Sequence, residues 1–277
     1  YGEDGGQLAV EGANEVISHI NKIEDITKVN FMEEQDAIKE GLIKMIGKEV
    51  DDEYIERLKT LCVNSELARE IGKDFKIIFT PLHGAGNKPV RRILDEIGFK
   101  KVLVVKEQEL PDPEFSTIKY PNPEEIDAFK LAIEMAKKED VDMIFGTDPD
   151  ADRVGVIVRN KEGKYVPLTG NQIGCLMLEY ILSQKKEKGE LPDNAFVVKT
   201  IVSTELAKEI AKFYGVELVE VLTGFKFIGE KIKQLDDNGD KKFMFGFEES
   251  YGYLAGTFVR DKDAVLASML IAEMAAY

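Results

Sequence analysis

At 277 residues the chain is long enough for about two domains, each with a sizeable buried core. Apolar residues make up 44% and charged residues 32%, an ordinary globular balance, while 52 acidic against 37 basic residues leave a formal charge of −15. No basic stripe is available to neutralise a phosphate backbone, so nucleic acid is not an expected partner, and no apolar run approaches the roughly 20 residues that cross a bilayer. A small anionic substrate remains compatible wherever the site itself is locally positive. Cys62 and Cys175 are far apart in helix-like contexts and read as two buried free thiols of a reducing compartment, which points to the cytoplasm, with a single disulfide as the alternative. There is no signal-peptide pattern. The chain opens without Met, on "YGEDGGQL", and stops inside "DAVLASMLIAEMAAY", which reads as amphipathic, so a piece of a longer protein is expected.

Residues 1–50 carry helical patches, "ANEVISHINKIEDI" and "QDAIKEGLIKMIG", with no strand after either, and read as a linker or the tail of a preceding domain. From Asp51 the pattern becomes regular. "DDEYIERLKTLCV" is a helix, with Tyr54, Ile55, Leu58, Leu61 and Cys62 at helical spacing behind an acidic first turn. A strand at 75–80 breaks into "PLHGAGN", a helix ends at Gly98, and a strand follows at 101–105. After the proline-rich "PDPEF…YPNP" loop, residues 123–140 predict a helix with Pro at its start and acids in its first turn. The strand "VDMIFGT" leads into three aspartates, and "RVGVIVR" (153–159) follows. A second cycle from Lys164 alternates helix, strand, helix, strand, helix and strand, and a last helix is expected from about Asp261. This alternation predicts α/β architecture: two tandem, similar three-layer α/β domains, with boundaries at 51–163 and 164–277.

Ligands of α/β sheets bind at strand ends, and five loops there carry chemistry. In "GTDPDADRVGV" (146–156), Asp148, Asp150 and Asp152 stand at i, i+2 and i+4. An extended loop turns such residues the same way and gathers hard carboxylate oxygens, as Mg²⁺ prefers. A solvated acidic turn is the plainer alternative. An EF-hand fails, because its Gly and Glu positions hold Arg153 and Arg159. A DxDx[TV] phosphatase signature is contradicted by Asp152 at its fifth position. Three carboxylates around a divalent ion need compensation, and Arg153 is placed to help. "TGFKFIG" (223–229) sets backbone N–H groups and Lys226 at a helix start, where an anion could sit; an ordinary glycine turn is the alternative. "GFEESYG" (246–252) offers Glu248, Glu249 and Ser250 to the hydroxyls of a polyol, or is simply an acidic loop. In "RDKDAV" (260–265), Arg260 and Lys262 at a helix start oppose the macrodipole, which suggests phosphate binding or proton transfer, or else surface ion pairs. His83, in "TPLHGAGNK", is one of two histidines, and such a residue is more often structural than catalytic.

Together these loops resemble the α-D-phosphohexomutase family of phosphoglucomutases and phosphomannomutases. "DPDADR" is similar to the family's metal loop DGDADR, with Pro149 in place of Gly. "GFEESYG" is similar to its sugar loop GE-x-S-G, with Glu248 and Ser250 matching Glu and Ser. "TGFKFIG" resembles its Thr-Gly loop, and "RDKDAV" its positively charged segment, with Lys262 at the lysine near the reacting hydroxyls. "TPLHGAG" and "GFEESYGYLAGTFVRDKDAV" look most like the phosphoglucomutase/phosphopentomutase branch, and the likeness runs nearly end to end. It implies four domains, of which residues 1–50 would be the tail of domain I and linker, 51–163 domain II and 164–277 domain III. It also implies Mg²⁺ on Asp148, Asp150 and Asp152, and sugar phosphate and bisphosphate as ligands. Glu248, Ser250, Thr223, Gly224 and Arg260 would bind substrate; Lys262, Arg153 and His83 would be the catalytic candidates. The family's phosphoserine loop T-x-S-H-N-P and its phosphate clamp R-x-S-G-T do not occur in this chain, so domains I and IV are expected elsewhere in a parent chain and the 277 residues alone are expected to be inactive. A non-catalytic Mg²⁺ or sugar-phosphate module, a metal-dependent phosphatase, and mannose or pentose specificity are the other readings.

Overall fold

The computed structural model describes residues 1–3, 5–236 and 238–277. Three helices open the chain: α1 (Val10–Ile20), α2 (Glu34–Lys39) and α3 (Lys48–Lys59). The first α/β unit follows with α4 (Ser65–Ile71), β1 (Lys76–Thr80), α5 (Asn87–Ile97), β2 (Lys101–Val104), α6 (Lys130–Glu139), β3 (Met143–Thr147), β4 (Val154–Arg159) and β5 (Tyr165–Leu168). The second contains α7 (Gly170–Glu187), β6 (Ala195–Thr200), α8 (Leu206–Tyr214), β7 (Glu217–Val221), α9 (Phe225–Asp236), β8 (Lys242–Glu248), β9 (Gly252–Leu254) and α10 (Ala264–Ala276).

The sheets have the orders β2-β1-β3-β4-β5 and β7-β6-β8-β9. In each, three strands run parallel and the next is antiparallel. Strand β1 thus corresponds to β6, β3 to β8 and β4 to β9. The central strands β3 and β6 are buried at every residue, as helices on both faces require, whereas the edge strands β2, β5 and β7 are partly exposed. Pro167 is tolerated in β5 because that strand lies at an edge. Alternation along β1 and β3 splits the first core. Ile77, Phe79, Met143 and Phe145 join α5 and the second unit, while Ile78 and Ile144 meet Phe129, Ala132 and Ala136 on the other face.

Several expectations shift. The first sheet extends to Leu168, beyond the expected boundary at residue 163, because β5 pairs with β4. The helix expected over 123–140 starts later, as a 3₁₀ turn at Ile126 and an α-helix at Lys130. Asn122 takes the Glu124 and Glu125 N–H groups at 3.1 and 3.0 Å, holding that stretch in a turn. The last helix begins at Ala264, with Asp263 as its N-cap, rather than near Asp261, so Arg260 and Lys262 lie in the loop ahead of it. Helix α10 is not amphipathic: residues 264–273 are all buried, because an apolar surface all round is stable only when enclosed on every side. It packs on α4 and α5 of the first unit, and that contact holds the two units together. The strands β5 and β9 and the helix α4 are too short to carry a periodic signal. No helix among the described residues is long and apolar enough to cross a membrane.

Candidate active site

Both sheets put their antiparallel hairpin at the carboxyl end of the central parallel strands. One hairpin joins β3 to β4 through residues 148–153, and the other joins β8 to β9 through 249–251. They meet each other: Arg153 and Gly252 form a β-bridge, and the Val154 N–H donates to Tyr251 O at 3.3 Å. Each turns through a non-glycine residue of positive φ, Ala151 at 59° and Tyr251 at 67°.

In the first hairpin, Asp148, Asp150 and Asp152 each offer a carboxylate oxygen, all within 4.8 Å of one another. Asp148 is buried, and its Oδ1 accepts the N–H groups of Asp152 and Arg153 at 3.0 and 2.9 Å. Its Oδ2 accepts Arg153 Nε at 2.8 Å, and Arg153 reaches on to Glu124 at 3.0 Å. Asp152 pairs with Lys262 Nζ at 2.7 Å, a contact that joins the two units. Burial pushes the Asp152 carboxyl up to about 7, and the Asp148 charge adds to this against the pull of Lys262. Burial works against the Lys262 ammonium as well, yet Asp152, Asp261 and Glu248 hold its pKa above the ordinary lysine value. The loop rests on "HGAG": the Ala85 N–H donates to Pro149 O at 2.8 Å, and a Cβ on Gly84 would overlap the Pro149 backbone.

Glu248 is buried beside Lys262; a Cβ on Gly252 would lie 2.7 Å from Lys262 Cδ and 2.8 Å from Glu248 Oε1. Burial raises the Glu248 pKa, with Lys262 opposing the shift. Glu249 turns elsewhere, accepting Thr200 Oγ1 at 2.8 Å, and Ser250 Oγ donates to it at 3.4 Å. Thr200 and Ser203 are held from below by Lys199, a fully buried lysine paired with Glu220 at 2.8 Å and Glu205 at 3.1 Å. Thr223 and Gly224 form the turn before α9, and the next residue, Phe225, sets its ring 6.0 Å from Lys262 Nζ. The backbone of Arg260 packs against Gly229 of α9. A cleft of about 780 Å³ opens beside Arg260, lined also by Lys226, Lys233 and residues 2, 3 and 6–10. Beside it, Gln7 and Tyr1 donate to the Asp261 carboxylate at 2.8 and 3.3 Å.

Asp148, Asp150, Asp152, Arg153, Lys262 and Glu248 therefore gather at one place, with Ser250, Thr223, Gly224 and Arg260 on the adjoining loops. His83 stands apart in its bonding. Its ring nitrogens meet Leu110 O at 2.9 Å and Thr117 Oγ1 at 2.8 Å, which ties its loop to the proline-rich segment. Glu124, Thr200, Ser203 and Lys199 were not legible as site residues. Glu124 read as a first-turn acid of a helix that starts after it, and Lys199 as one more residue of a strand.

The family model for phosphoglucomutase/phosphomannomutase alpha/beta/alpha domain II matches residues 52–163, and that for domain III matches residues 169–277. The chain belongs to the phosphoglucomutase/phosphomannomutase family. It is 37% identical over 276 residues to a phosphoglucomutase of Staphylococcus aureus (strain USA300), covering 99% of this chain and 48% of that protein. A phosphoglucomutase of Staphylococcus epidermidis (strain ATCC 12228 / FDA PCI 1200) is 38% identical, again with 48% of its length covered. The chain thus spans about half the length of these relatives. A crystal structure of a putative phosphomannomutase from Thermus thermophilus superposes with a TM-score of 0.66 at 25% identity, covering 82% of this chain and 47% of that one. An Aspergillus fumigatus N-acetylphosphoglucosamine mutase in complex with GlcNAc-6P and magnesium shares the fold at a TM-score of 0.51 and 14% identity, over 78% of this chain and 50% of that one. These relatives are mutases, a class of isomerase, and this chain is a partial representative of them.

Proposed function

We propose that the chain is the central part of a Mg²⁺-dependent phosphohexomutase that interconverts glucose 1-phosphate and glucose 6-phosphate, with domains I and IV of the same parent chain supplying the phosphoserine and the phosphate clamp. The observation that carries this reading is the convergence of the Asp148–Asp150–Asp152 carboxylates, from one unit, with Lys262 and Glu248, from the other. The donor set fits the ion: three hard oxygens within 4.8 Å suit an octahedral Mg²⁺ that keeps further positions for water or a phosphate oxygen. When bound there, the ion would neutralise charge on the transferring phosphoryl group.

The chain's own residues have separable tasks. Arg153 balances the charge of Asp148 and holds its oxygens in place. Lys262, kept charged by three carboxylates, stabilises the negative charge that develops on the reacting oxygen or donates a proton to it. Glu248 and Ser250 accept and donate hydrogen bonds to the sugar hydroxyls, and Thr223, Gly224 and Arg260 border the sugar phosphate. His83, with both ring nitrogens engaged, is assigned to holding the loop under Pro149 rather than to chemistry. Glucose specificity draws on the phosphoglucomutase names of the staphylococcal relatives, and magnesium on the metal complex of the fungal one. The two free cysteines favour a cytoplasmic location.

The test has two arms. The 277-residue chain, assayed with glucose 1-phosphate and a glucose 6-phosphate dehydrogenase readout, should give no turnover, and a clear conversion would sink the assignment of the nucleophile to another domain. The intact parent enzyme should turn over glucose 1-phosphate faster than mannose or pentose phosphates; the reverse order would transfer the specificity.

A further inference from the structure

Asp263 is 6% exposed and receives three hydrogen bonds. Its Oδ1 accepts the Val265 and Leu266 N–H groups at 2.9 and 3.0 Å, the ordinary cap of α10. Its Oδ2 accepts the Tyr54 hydroxyl at 2.7 Å, from α3, the helix that leads into the first unit and packs on its α5. Burial, and then the Asp263 charge, push the Tyr54 phenol far above its ordinary value, so it stays a donor. The ring is braced edge-on by Phe258 with centroids 6.4 Å apart, which aims the hydroxyl.

Asp263 lies one peptide from Lys262 in a strip pinned between the two hairpins. The Asp263 N–H donates to Tyr253 O of β9 at 3.0 Å, and the Ala264 N–H to Ala151 O of the aspartate loop at 3.1 Å. Backbone bonds therefore set where the strip lies. The Tyr54–Asp263 bond sets where the loop ends and α10 begins. Without the hydroxyl, one oxygen of a buried carboxylate loses its donor, at a cost large enough that the carboxylate must turn or take a proton. Either change disturbs the cap and, through one peptide, the base of the Lys262 side chain.

We propose that Tyr54 is a positioning residue for Lys262, acting through Asp263 to hold the ammonium against Asp152 and Glu248. This rests on the reading of Lys262 as a phosphoryl-transfer residue. Displacement of an active-site group by about 1 Å can cost up to the order of 100-fold in rate, and a smaller shift of Lys262 costs less.

Tyr54→Phe, Lys262→Met and the double variant in the intact parent enzyme form a cycle that separates positioning from general stability. Tyr54→Phe should lower kcat about 10-fold with KM for glucose 1-phosphate within about twofold, as expected when an interaction of the transition state is lost. In the Lys262→Met background the same change should alter kcat less than about twofold; fully additive losses would overturn the proposal. A crystal structure of the 277-residue Tyr54→Phe chain gives an answer independent of activity. Lys262 Nζ should leave hydrogen-bond distance of Asp152 Oδ2, and a retained 2.7 Å contact would overturn the proposal even in an active parent. Should the parent prove inactive, the functional reading falls while the crystal still decides the positioning. Asp263→Asn keeps a cap acceptor and a polar group facing Tyr54, and covers the case in which Tyr54→Phe does not fold. It should keep kcat within about threefold; a 10-fold loss with the Lys262–Asp152 contact intact would count against the proposal.

Discussion

The two hairpins at the site occupy the same place in their sheets and differ in what they do with their acids. Each follows a buried parallel strand, turns through a residue of positive φ at Ala151 or Tyr251, and rests on a glycine. Gly84 lies under Pro149 and Gly170 under Glu249, and a Cβ on either would overlap the hairpin backbone. The first hairpin gathers its acids: Asp148, Asp150 and Asp152 share one space, held by backbone N–H groups, Arg153 and Lys262. The second separates them, Glu248 toward Lys262 and Glu249 toward Thr200. One backbone thus gathers carboxylates where positive groups surround it and spreads them where hydroxyls do. The surroundings, more than the turn, decide which chemistry it presents.

Altering each hairpin in turn tests that contrast. Asp150→Asn in the parent enzyme should cost about 100-fold in activity at limiting Mg²⁺ and weaken Mn²⁺ binding in calorimetry, whereas near wild-type turnover there would refute the metal assignment. Gly84→Ala and Gly170→Ala should each destabilise the fold by about 1–3 kcal/mol in denaturant titrations, because the obstacle is backbone that cannot swing aside. Equal costs would support the equivalence of the two seats, and a silent Gly170→Ala would break it. Ser250→Ala should raise KM about 10-fold with kcat nearly unchanged, the signature of lost uniform binding; a pure kcat effect would move Ser250 into the chemistry.

The smallest effect concerns the contact between the units. Glu273 is buried in α10, accepts the Val63 N–H at 3.0 Å and also bonds the Asn64 N–H. Burial raises its pKa above the ordinary 4.5, with those N–H groups opposing. The folded state therefore holds the proton longer than the unfolded one. Its stabilising contribution is full below about 4.5 and is lost as the pH climbs through the raised folded value. Over that window the wild type should lose up to about 1.4 kcal/mol per pH unit relative to Glu273→Gln, measured by urea unfolding at stepped pH, and parallel pH profiles would reject the assignment.

Much of the architecture was legible because helices and strands write their burial into the spacing of apolar residues. Gly98 ended its helix as its conformational freedom suggests, whereas the capping box of Thr169 and Gln172 at the start of α7 was not read from the sequence. The aspartate triplet was legible as a run of hard ligands, but the reason for its convergence was not: the carboxylates meet because the loop turns back, with Ala151 at positive φ and its N–H on Asp148 O at 3.1 Å, and not because an extended loop keeps residues two apart on one side. The errors came where local signals compete. Pro123 and its acids looked like a helix start, but Asn122 offered those N–H groups another acceptor, and Glu124 was left to meet Arg153.

By itself the sequence determined the alternating α/β plan, the loops that carry chemistry and the carboxylates that would hold a divalent ion. Each depends on residues near one another along the chain. Only the tertiary structure decided that Asp152 meets Lys262, that Arg153 pairs with Gly252 across the units, and that Tyr54 reaches Asp263 from 209 residues away. It also separated Glu248 from Glu249, neighbours in the chain with different partners. Such pairings depend on how two sheets and an enclosed, largely apolar α10 pack, and packing joins surfaces whose separation along the chain leaves no periodic trace.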